Sequence, residues 1–279
     1  MGKDPFFSVI IPTLNEEKYL PRLLTTLTKQ TYTDFEVIIV DGHSEDKTTA
    51  KAKKFSVLLK NLRIITSNKR NLPYQRNLGA KNATGTFFVF FDADVLLPPE
   101  FLEGIHYTIV SRKCSFVTTW FVTDSKKSSD ELLILFINLG IEVSKVIGKP
   151  LAHGPNTTIS KQAFLKVGGY KENLKMSEDH DFTMRVSKAG YDLIILKEPQ
   201  LIFSLRRFVS QGRLKVLHTW WWSAVHTLLI GPPTTNFFNY EMGGHVHGMK
   251  KKESMMKLTT YLHIVERFER KLKTFFTDI

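Results

Sequence analysis

The chain has 279 residues, 42% hydrophobic and 24% charged, the proportions of an ordinary folded protein and not of a disordered or fibrous one. Lysine plus arginine number 39 against 27 acids, and the formal net charge of +12 suggests an anionic partner such as a nucleotide, a nucleic acid or an acidic lipid. The single cysteine, Cys114, excludes an intramolecular disulfide and a cysteine-based metal cluster, which fits a reducing compartment.

The apolar run over residues 6–11 is too short for a secretory leader and lacks a cleavage pattern, so no signal peptide is expected. Residues 7–11 read instead as a buried strand stopped by Pro12, with Thr13-Leu14-Asn15-Glu16-Glu17 as a polar loop behind it. Leu20, Leu23, Leu24 and Leu27 then recur at helical spacing. Residues 35–40 read as a second strand, followed at its end by Asp41-Gly42-His43-Ser44-Glu45-Asp46. Ser44 is the expected N-cap of the next helix, with Glu45 and Asp46 in its first turn. A third strand is expected over 62–66, then a basic loop over 67–74 and a short helix opening at Gln75-Arg76-Asn77.

Phe87-Phe88-Val89-Phe90-Phe91 runs without interruption into Asp92-Ala93-Asp94 and on to Pro98-Pro99. Such a run suits the centre of a parallel sheet covered on both faces, and ligands of open α/β sheets bind beyond the carboxyl ends of the strands. Alternation points the Asp92 and Asp94 side chains to one side. Two carboxylates held together repel, so either a divalent cation joins them, or one caps the helix near Pro99 while the other is solvated. The succession of strands and helices predicts a parallel sheet wrapped by helices, with Pro12, Asp41 and Asp92 converging on one crevice. Neither a G-x-G-x-x-G turn nor a P-loop follows these strands, which leaves a metal and basic side chains such as Lys69, Arg70 and Arg76 to hold a phosphate.

Further on, an amphipathic helix is expected over 131–147, then His153-Gly154-Pro155-Asn156, where His153 and Asn156 read equally as ligand contacts or as a turn. Glu178 and Asp179 precede a helix carrying Phe182, Met184, Val186 and Ala189 and ended by Gly190. They either serve chemistry or favour the helix N-terminus, although three acids within 178–181 exceed what a helix start requires. Arg206 and Arg207 follow a strand-like stretch over 201–204. Residues 216–230 fall short of the roughly 20 apolar residues of a spanning helix. Trp220-Trp221-Trp222 cannot all face one core, so one is expected at an interface. His245 and His247 are alternate residues that read either as a metal ligand pair or as surface histidines. After Lys250-Lys251-Lys252, a basic amphipathic helix through Met255, Leu258, Leu262, Val265, Leu272 and Phe276 suits a membrane surface, a dimer seam or packing on the parent domain.

Taken together, Ser8-Val9-Ile10-Ile11-Pro12-Thr13-Leu14-Asn15-Glu16, Val40-Asp41-Gly42, Arg76-Asn77-Leu78-Gly79-Ala80, Asp92-Ala93-Asp94, Val167-Gly168-Gly169-Tyr170 and Glu178-Asp179-His180-Asp181 resemble the family 2 glycosyltransferases. The resemblance covers about residues 6–207, in that family's order and spacing. It implies a GT-A fold, an α/β architecture with a mainly parallel central sheet flanked by helices. That domain is expected over 1–210, with a helical appendage over 211–279 that associates with a membrane or dimerises. It further implies an inverting transferase that moves a sugar from a nucleotide-diphosphate donor, UDP-sugar favoured, to a hydroxyl acceptor on a glycan or lipid-linked carrier.

By the same resemblance Pro12, Thr13, Asn15 and Glu16 lie against the base and ribose, Asp41 bonds the base, and Arg76 reaches the base or diphosphate. Asp92 contacts ribose or metal, Asp94 binds Mn²⁺ or Mg²⁺ directly, and Asp179 beside Glu178 is the base. Gly42 and His43 depart from the second acid and glycine of many relatives. The expected setting is the cytoplasm or the cytoplasmic membrane face. A nucleotidyltransferase of related fold and a basic nucleic-acid binder are the competing readings, the former without its usual Gly-rich loop and the latter without a binding motif.

Overall fold

The computed structural model describes residues 4–152, 154–174, 176–229 and 231. Among them seven strands form one sheet in the order β3-β2-β1-β4-β6-β5-β7. These are β1 (Phe7–Thr13), β2 (Phe35–Asp41), β3 (Leu62–Thr66), β4 (Phe87–Phe91), β5 (Phe116–Thr123), β6 (Asn156–Ser160) and β7 (Leu193–Phe203). β1 pairs in parallel with β2 and β4, β2 with β3, and β5 with β7. β6 alone runs the other way, antiparallel to both β4 and β5. The sheet is therefore mainly parallel, as the alternation of elements predicts.

Alternate side chains of the apolar runs leave on opposite faces, and this produces two core layers. Phe7, Val9 and Ile11 of β1 with Phe87, Val89 and Phe91 of β4 fill one layer. There they meet Leu20, Leu23, Leu24 and Leu27 of α1 (Leu20–Leu27) and Phe101, Leu102, Ile105 and Ile109 of α4 (Phe101–Arg112). Ile10, Phe88 and Phe90 fill the other layer with Ala80 of α3 (Leu72–Asn82), Phe164 of α6 (Lys161–Lys166) and Phe182 and Val186 of α7 (Glu178–Lys188). Gly79 lets α3 approach the sheet, because a Cβ there would stand 2.3 Å from Ile10 Cγ2.

Three local expectations are corrected. Pro12 does not stop β1, which continues to Thr13 against β2; pairing with β4 ends at Ile10, so the missing N–H of Pro12 falls beyond the β4 ladder. Ser44 does not cap the next helix. That helix, α2 (Thr48–Lys53), starts four residues later, where the Asp46 carboxylate accepts from the Thr48 N–H at 2.9 Å. α3 opens at Leu72 rather than Gln75, because Asn71 caps it by accepting from the Tyr74 N–H at 2.8 Å.

The remaining helices are α5 (Ser128–Val146), α8 (Arg206–Gln211) and α9 (Arg213–Leu229). Trp220 of α9 packs on Phe203 and Phe208 with ring centroids 6.3 and 5.0 Å apart. No helix among the described residues is long and apolar enough to cross a membrane. His245, His247 and the expected C-terminal basic helix lie outside the described residues, as does His153.

At the amino ends of the strands one acid holds the sheet together. Glu36 Oε1 accepts from Ser8 Oγ at 2.7 Å, from the Thr84 N–H at 2.7 Å and from Thr84 Oγ1 at 2.8 Å, while Arg63 pairs with Oε2. Burial pushes the Glu36 carboxyl up, but these hydrogen bonds and the guanidinium together hold it below its ordinary value. Its stabilisation is therefore fully present above pH 4.5 and is lost as the pH falls through the lower folded-state value. Glu36→Ala is expected to cost about 2–4 kcal/mol in urea denaturation at pH 7, and to blunt the loss of stability seen in the parent chain below pH 4.5.

Candidate active site

The carboxyl ends of β1, β2, β4 and β7 open on one edge of the sheet, and reversed β6 begins there, with Asn156 opposite Phe91. The loop after β4 is also tied to β7, since Leu96 and Ile202 exchange backbone hydrogen bonds of 2.9 and 2.8 Å. Residues distant in sequence thus meet at this edge in three groups.

The first group closes the ends of β1 and β2. Asp41 is buried and accepts from Thr13 Oγ1 at 3.2 Å, Ser44 Oγ at 2.6 Å and the Ser44 N–H at 2.9 Å. Gln75 Nε2 donates to the Thr13 and Val40 carbonyls at 3.0 and 2.7 Å and so spans the two strand ends. Asn15 adopts a left-handed backbone (φ 55°), from which its N–H reaches Ser44 Oγ at 2.8 Å and its Oδ1 accepts from the Glu45 N–H at 2.7 Å. Asn15 thus braces the first loop against the second, a role its place in the sequence does not announce.

The second group surrounds Arg76, whose side chain is 1% exposed. Its Nη1 donates to Glu178 Oε1 at 2.9 Å, and its Nη2 to Asp92 Oδ1 at 3.1 Å and the Gly154 carbonyl at 3.2 Å. The guanidinium also lies 5.1 Å from the centre of the Tyr170 ring. Burial works against the Arg76 charge, but Tyr170 and the nearby Asp92, Glu178 and Asp179 overcome it and hold the proton more tightly than usual. Glu178 is pushed up by burial and by the adjacent Asp179. Asp179 is half-buried with Oδ1 accepting from the His180 N–H at 2.8 Å, and a Cβ placed on Gly154 would stand 2.9 Å from its Oδ2. Only glycine at 154 leaves that approach open.

The abundance of acids at 178–181 has a partly structural explanation. Asp181 is buried and takes Lys171 Nζ at 2.9 Å and Arg185 Nε at 2.6 Å. Arg185 in turn donates to the Val167 and Gly169 carbonyls, at 2.8 Å each, and fixes the Gly168-Gly169 turn. Both glycines have positive φ, +74° and +68°. Asn77 completes this support by accepting from the Tyr170 N–H at 2.8 Å.

The third group joins residues the sequence keeps furthest apart. Arg206, at the start of α8, donates through Nη1 and Nη2 to Glu16 at 2.6 and 2.7 Å and through Nε to Asp94 Oδ2 at 2.7 Å. Arg207 lies within electrostatic reach of Asp94 and Asp92. Burial pushes the Asp94 carboxyl up against the pull of Arg206. Across the edge Glu16, Asp92, Asp94, Glu178 and Asp179 face Arg76, Arg206 and Arg207, so carboxylates outnumber guanidiniums. One oxygen of Asp92 and one of Asp94 lie outside these ion pairs. Among the described residues no group of three or more His, Cys, Asp or Glu side chains gathers to hold a metal, so a divalent cation here would depend on these one or two carboxylates together with a substrate's phosphates.

The sequence profile described as glycosyl transferase family 2 matches residues 8–168, more than half of the chain. The chain belongs to glycosyl transferase family 2. Among its relatives, a Methanococcus voltae dolichyl N-acetyl-alpha-D-glucosaminyl phosphate 3-beta-D-2,3-diacetamido-2,3-dideoxy-beta-D-glucuronosyltransferase is 30% identical over 71% of this chain and 56% of its own length. The poly(ribitol-phosphate) beta-N-acetylglucosaminyltransferase TarS of Staphylococcus aureus is 30% identical over 72% of this chain and 36% of its own.

The chain therefore spans less than two thirds of these family 2 relatives. The structure of residues 1–349 of TarS in complex with UDP-GlcNAc matches with a TM-score of 0.58 and 25% identity, over 71% of this chain and 58% of that one. The mannosyltransferase PcManGT from Pyrobaculum calidifontis matches with a TM-score of 0.63 and 20% identity, over 80% of this chain and 65% of that one. These likenesses accord with the seven-stranded α/β sheet flanked by helices, and the fold of this family 2 member is GT-A.

The Glu16 carboxyl is pushed up to about 7 by burial, which outweighs its bonds to Arg206. The folded chain then holds more protons than the unfolded one between pH 4.5 and about 7, so this stabilising contribution is full below pH 4.5 and is lost as the pH rises through about 7. Urea denaturation at pH 5 and pH 8 should show a fall of about 3 kcal/mol from this group, and Glu16→Gln should remove most of that fall.

Proposed function

We propose that the chain transfers a sugar from a nucleotide-diphosphate donor, with UDP-sugar favoured, to a hydroxyl acceptor by a metal-assisted single displacement that inverts the sugar carbon. The observation that carries this reading is the placing of Asp179, half-buried beside Gly154, at the same sheet edge as the Asp92 and Asp94 carboxylates.

In this reading Asp179 takes the proton of the attacking hydroxyl, the task of a general base within hydrogen-bond reach. Glu178 serves a different purpose, because its carboxylate is bound to Arg76. With no second carboxylate assigned as a nucleophile, one displacement with inversion follows. Asp94 and Asp92 would hold Mn²⁺ or Mg²⁺, which when bound neutralises charge on the departing diphosphate. Arg76 keeps Asp92 and Glu178 in place around the acceptor side of the edge. Pro12, Thr13, Asn15 and Asp41 form the floor for the nucleoside, with Asp41 oriented by Ser44 and Thr13. Glu16 stands at the join between the nucleoside floor and the acids, held by Arg206.

Support for a UDP-sugar comes from TarS, whose structure has been determined with UDP-GlcNAc. Support for an acceptor on a lipid phosphate or a glycan comes from the named activities of the Methanococcus relative and of TarS. Family membership also favours this reading over a nucleotidyltransferase or a nucleic-acid binder.

Melting curves with UDP, GDP, dTDP or CDP, each with and without Mn²⁺, test the donor site, since a ligand of the folded state raises the midpoint. UDP with Mn²⁺ is expected to give the largest rise, and Asp94→Ala to abolish the Mn²⁺-dependent part. Asp179→Asn should keep the nucleotide shift and lower transfer or donor hydrolysis by about 10²–10⁴-fold. Unchanged turnover in both variants would refute these assignments.

A further inference from the structure

Helix α5 is amphipathic in the wrong direction for a helix of a water-soluble surface. Toward the protein it buries Asp130, Asn138 and Ser144 beside Ile134 and Ile141. The Asn138 amide accepts from the Phe121 N–H at 3.2 Å and donates to the Phe121 carbonyl at 2.8 Å. Asp130 takes Arg213 at 2.9 Å. Toward the outside it shows Leu132, Leu135, Phe136, Leu139, Val143, Val146 and Ile147, with Phe136 63% and Val146 86% exposed. Each of these residues has another of the set three or four positions away, with Leu135-Phe136 and Val146-Ile147 as adjacent pairs, so they form a single stripe. Contiguous apolar patches of this kind on a soluble chain mark a binding surface.

The charges at the ends of the stripe select its occupant. Lys126 and Lys127 are exposed just before the helix, and Lys145 and Lys149 are exposed at its other end. A second copy paired along α5 brings lysine-bearing ends onto lysine-bearing ends in either direction; of the three acids of the helix, buried Asp130 is paired with Arg213, half-buried Glu142 accepts from Trp120, and Glu131 is exposed. An acidic bilayer surface satisfies all four lysines and takes the apolar stripe between them. The helix is not long and apolar enough to cross a membrane, so it lies along one.

We propose that α5 seats this protein on the surface of an anionic phospholipid bilayer through its outward stripe and flanking lysines. The chain leaves this helix at Val146 and eight residues later reaches Gly154, whose carbonyl binds Arg76 and which lies against Asp179. The bilayer contact is thereby placed next to the acceptor side, and an acceptor hydroxyl displayed at headgroup level is the substrate class it serves; this last clause rests on the transferase reading above.

Sedimentation of the full chain with phosphatidylcholine vesicles, with and without phosphatidylglycerol, tests the proposal. The chain is expected to bind only the acidic vesicles, and the double variant Phe136→Glu with Leu139→Glu to lower the bound fraction at least about tenfold. Replacing Lys126, Lys127, Lys145 and Lys149 by Gln should shift binding to lower salt. Circular dichroism and melting of each variant report folding, and Phe136→Ser with Leu139→Ser replaces the acidic pair if that pair misfolds. Absence of binding by the parent chain, or equal binding by the folded double variant, overturns the proposal. So does a dimer in analytical ultracentrifugation that the double variant dissolves. The UDP-dependent melting shift, measured on the same samples, should be unchanged by the α5 variants. Its absence from parent and variants alike counts against the transferase reading and leaves the vesicle result standing.

Discussion

A guanidinium shut away from water needs acceptors, and Arg76 finds them at Nη1 and Nη2, while its buried Nε has none among the described residues. Its partners come from the loop after β4, Gly154 two residues before β6 and the first turn of α7, while α3 carries the arginine itself. Four separate segments are thus held to one point by charge. Removing the guanidinium would leave the buried Glu178 uncompensated, a defect worth about 3–5 kcal/mol in other proteins. The same interaction separates two neighbouring acids: Glu178 is bound to Arg76, and Asp179 lies against Gly154, which is what the proposed function draws on.

Arg206 performs a related task on the other side of Asp92. It links the first loop of the chain with the loop after β4, across 190 positions of sequence to Glu16 and 112 to Asp94. The backbone pairing of Leu96 with Ile202 brings β7 to the place from which this arginine can reach. The two arginines bracket the acids of the sheet edge, and together they lower the repulsion that Asp92 and Asp94 would exert on one another. The donor diphosphate of the proposed reaction would meet positive charge already fixed in position at this edge.

Much of the sheet was legible because β4 is an unbroken apolar run and β1 and β2 carry the runs Val9-Ile10-Ile11 and Val37-Ile38-Ile39-Val40, whose burial on both faces leaves little choice of structure. Asp92, Asp94 and Asp179 were legible as candidates by their place after or before regular elements and by the family resemblance. The rest depends on contacts between distant residues, which spacing does not encode. Arg206 showed only as a residue after a strand-like stretch, Asn15 as an expected neighbour of the base and ribose and Ser44 as a helix cap, because the partners the folded loops bring to each lie far off in sequence. Asp181 could not be separated from its two acidic neighbours, since its partners Lys171 and Arg185 lie on either side of it along the chain. The apolar stripe of α5 was visible as a helix, but its outward orientation is set by Asn138 and Ser144, which take the inward positions usually given to leucine.

The reversal of β6 has a topological consequence. Because β5 and β6 are antiparallel neighbours, the chain that departs from one returns to the other at the same edge, and residues 124–155 form a closed excursion anchored at both feet. Lengthening or rebuilding such an excursion costs only about 0.6 kcal/mol per doubling of a flexible segment and leaves every strand register untouched. On the transferase reading proposed above, remodelling this insertion apart from Gly154 and Asn138, which are tied to Arg76 and β5, would re-address the scaffold to new acceptors while the part built on β1, β2 and β4 keeps its arrangement.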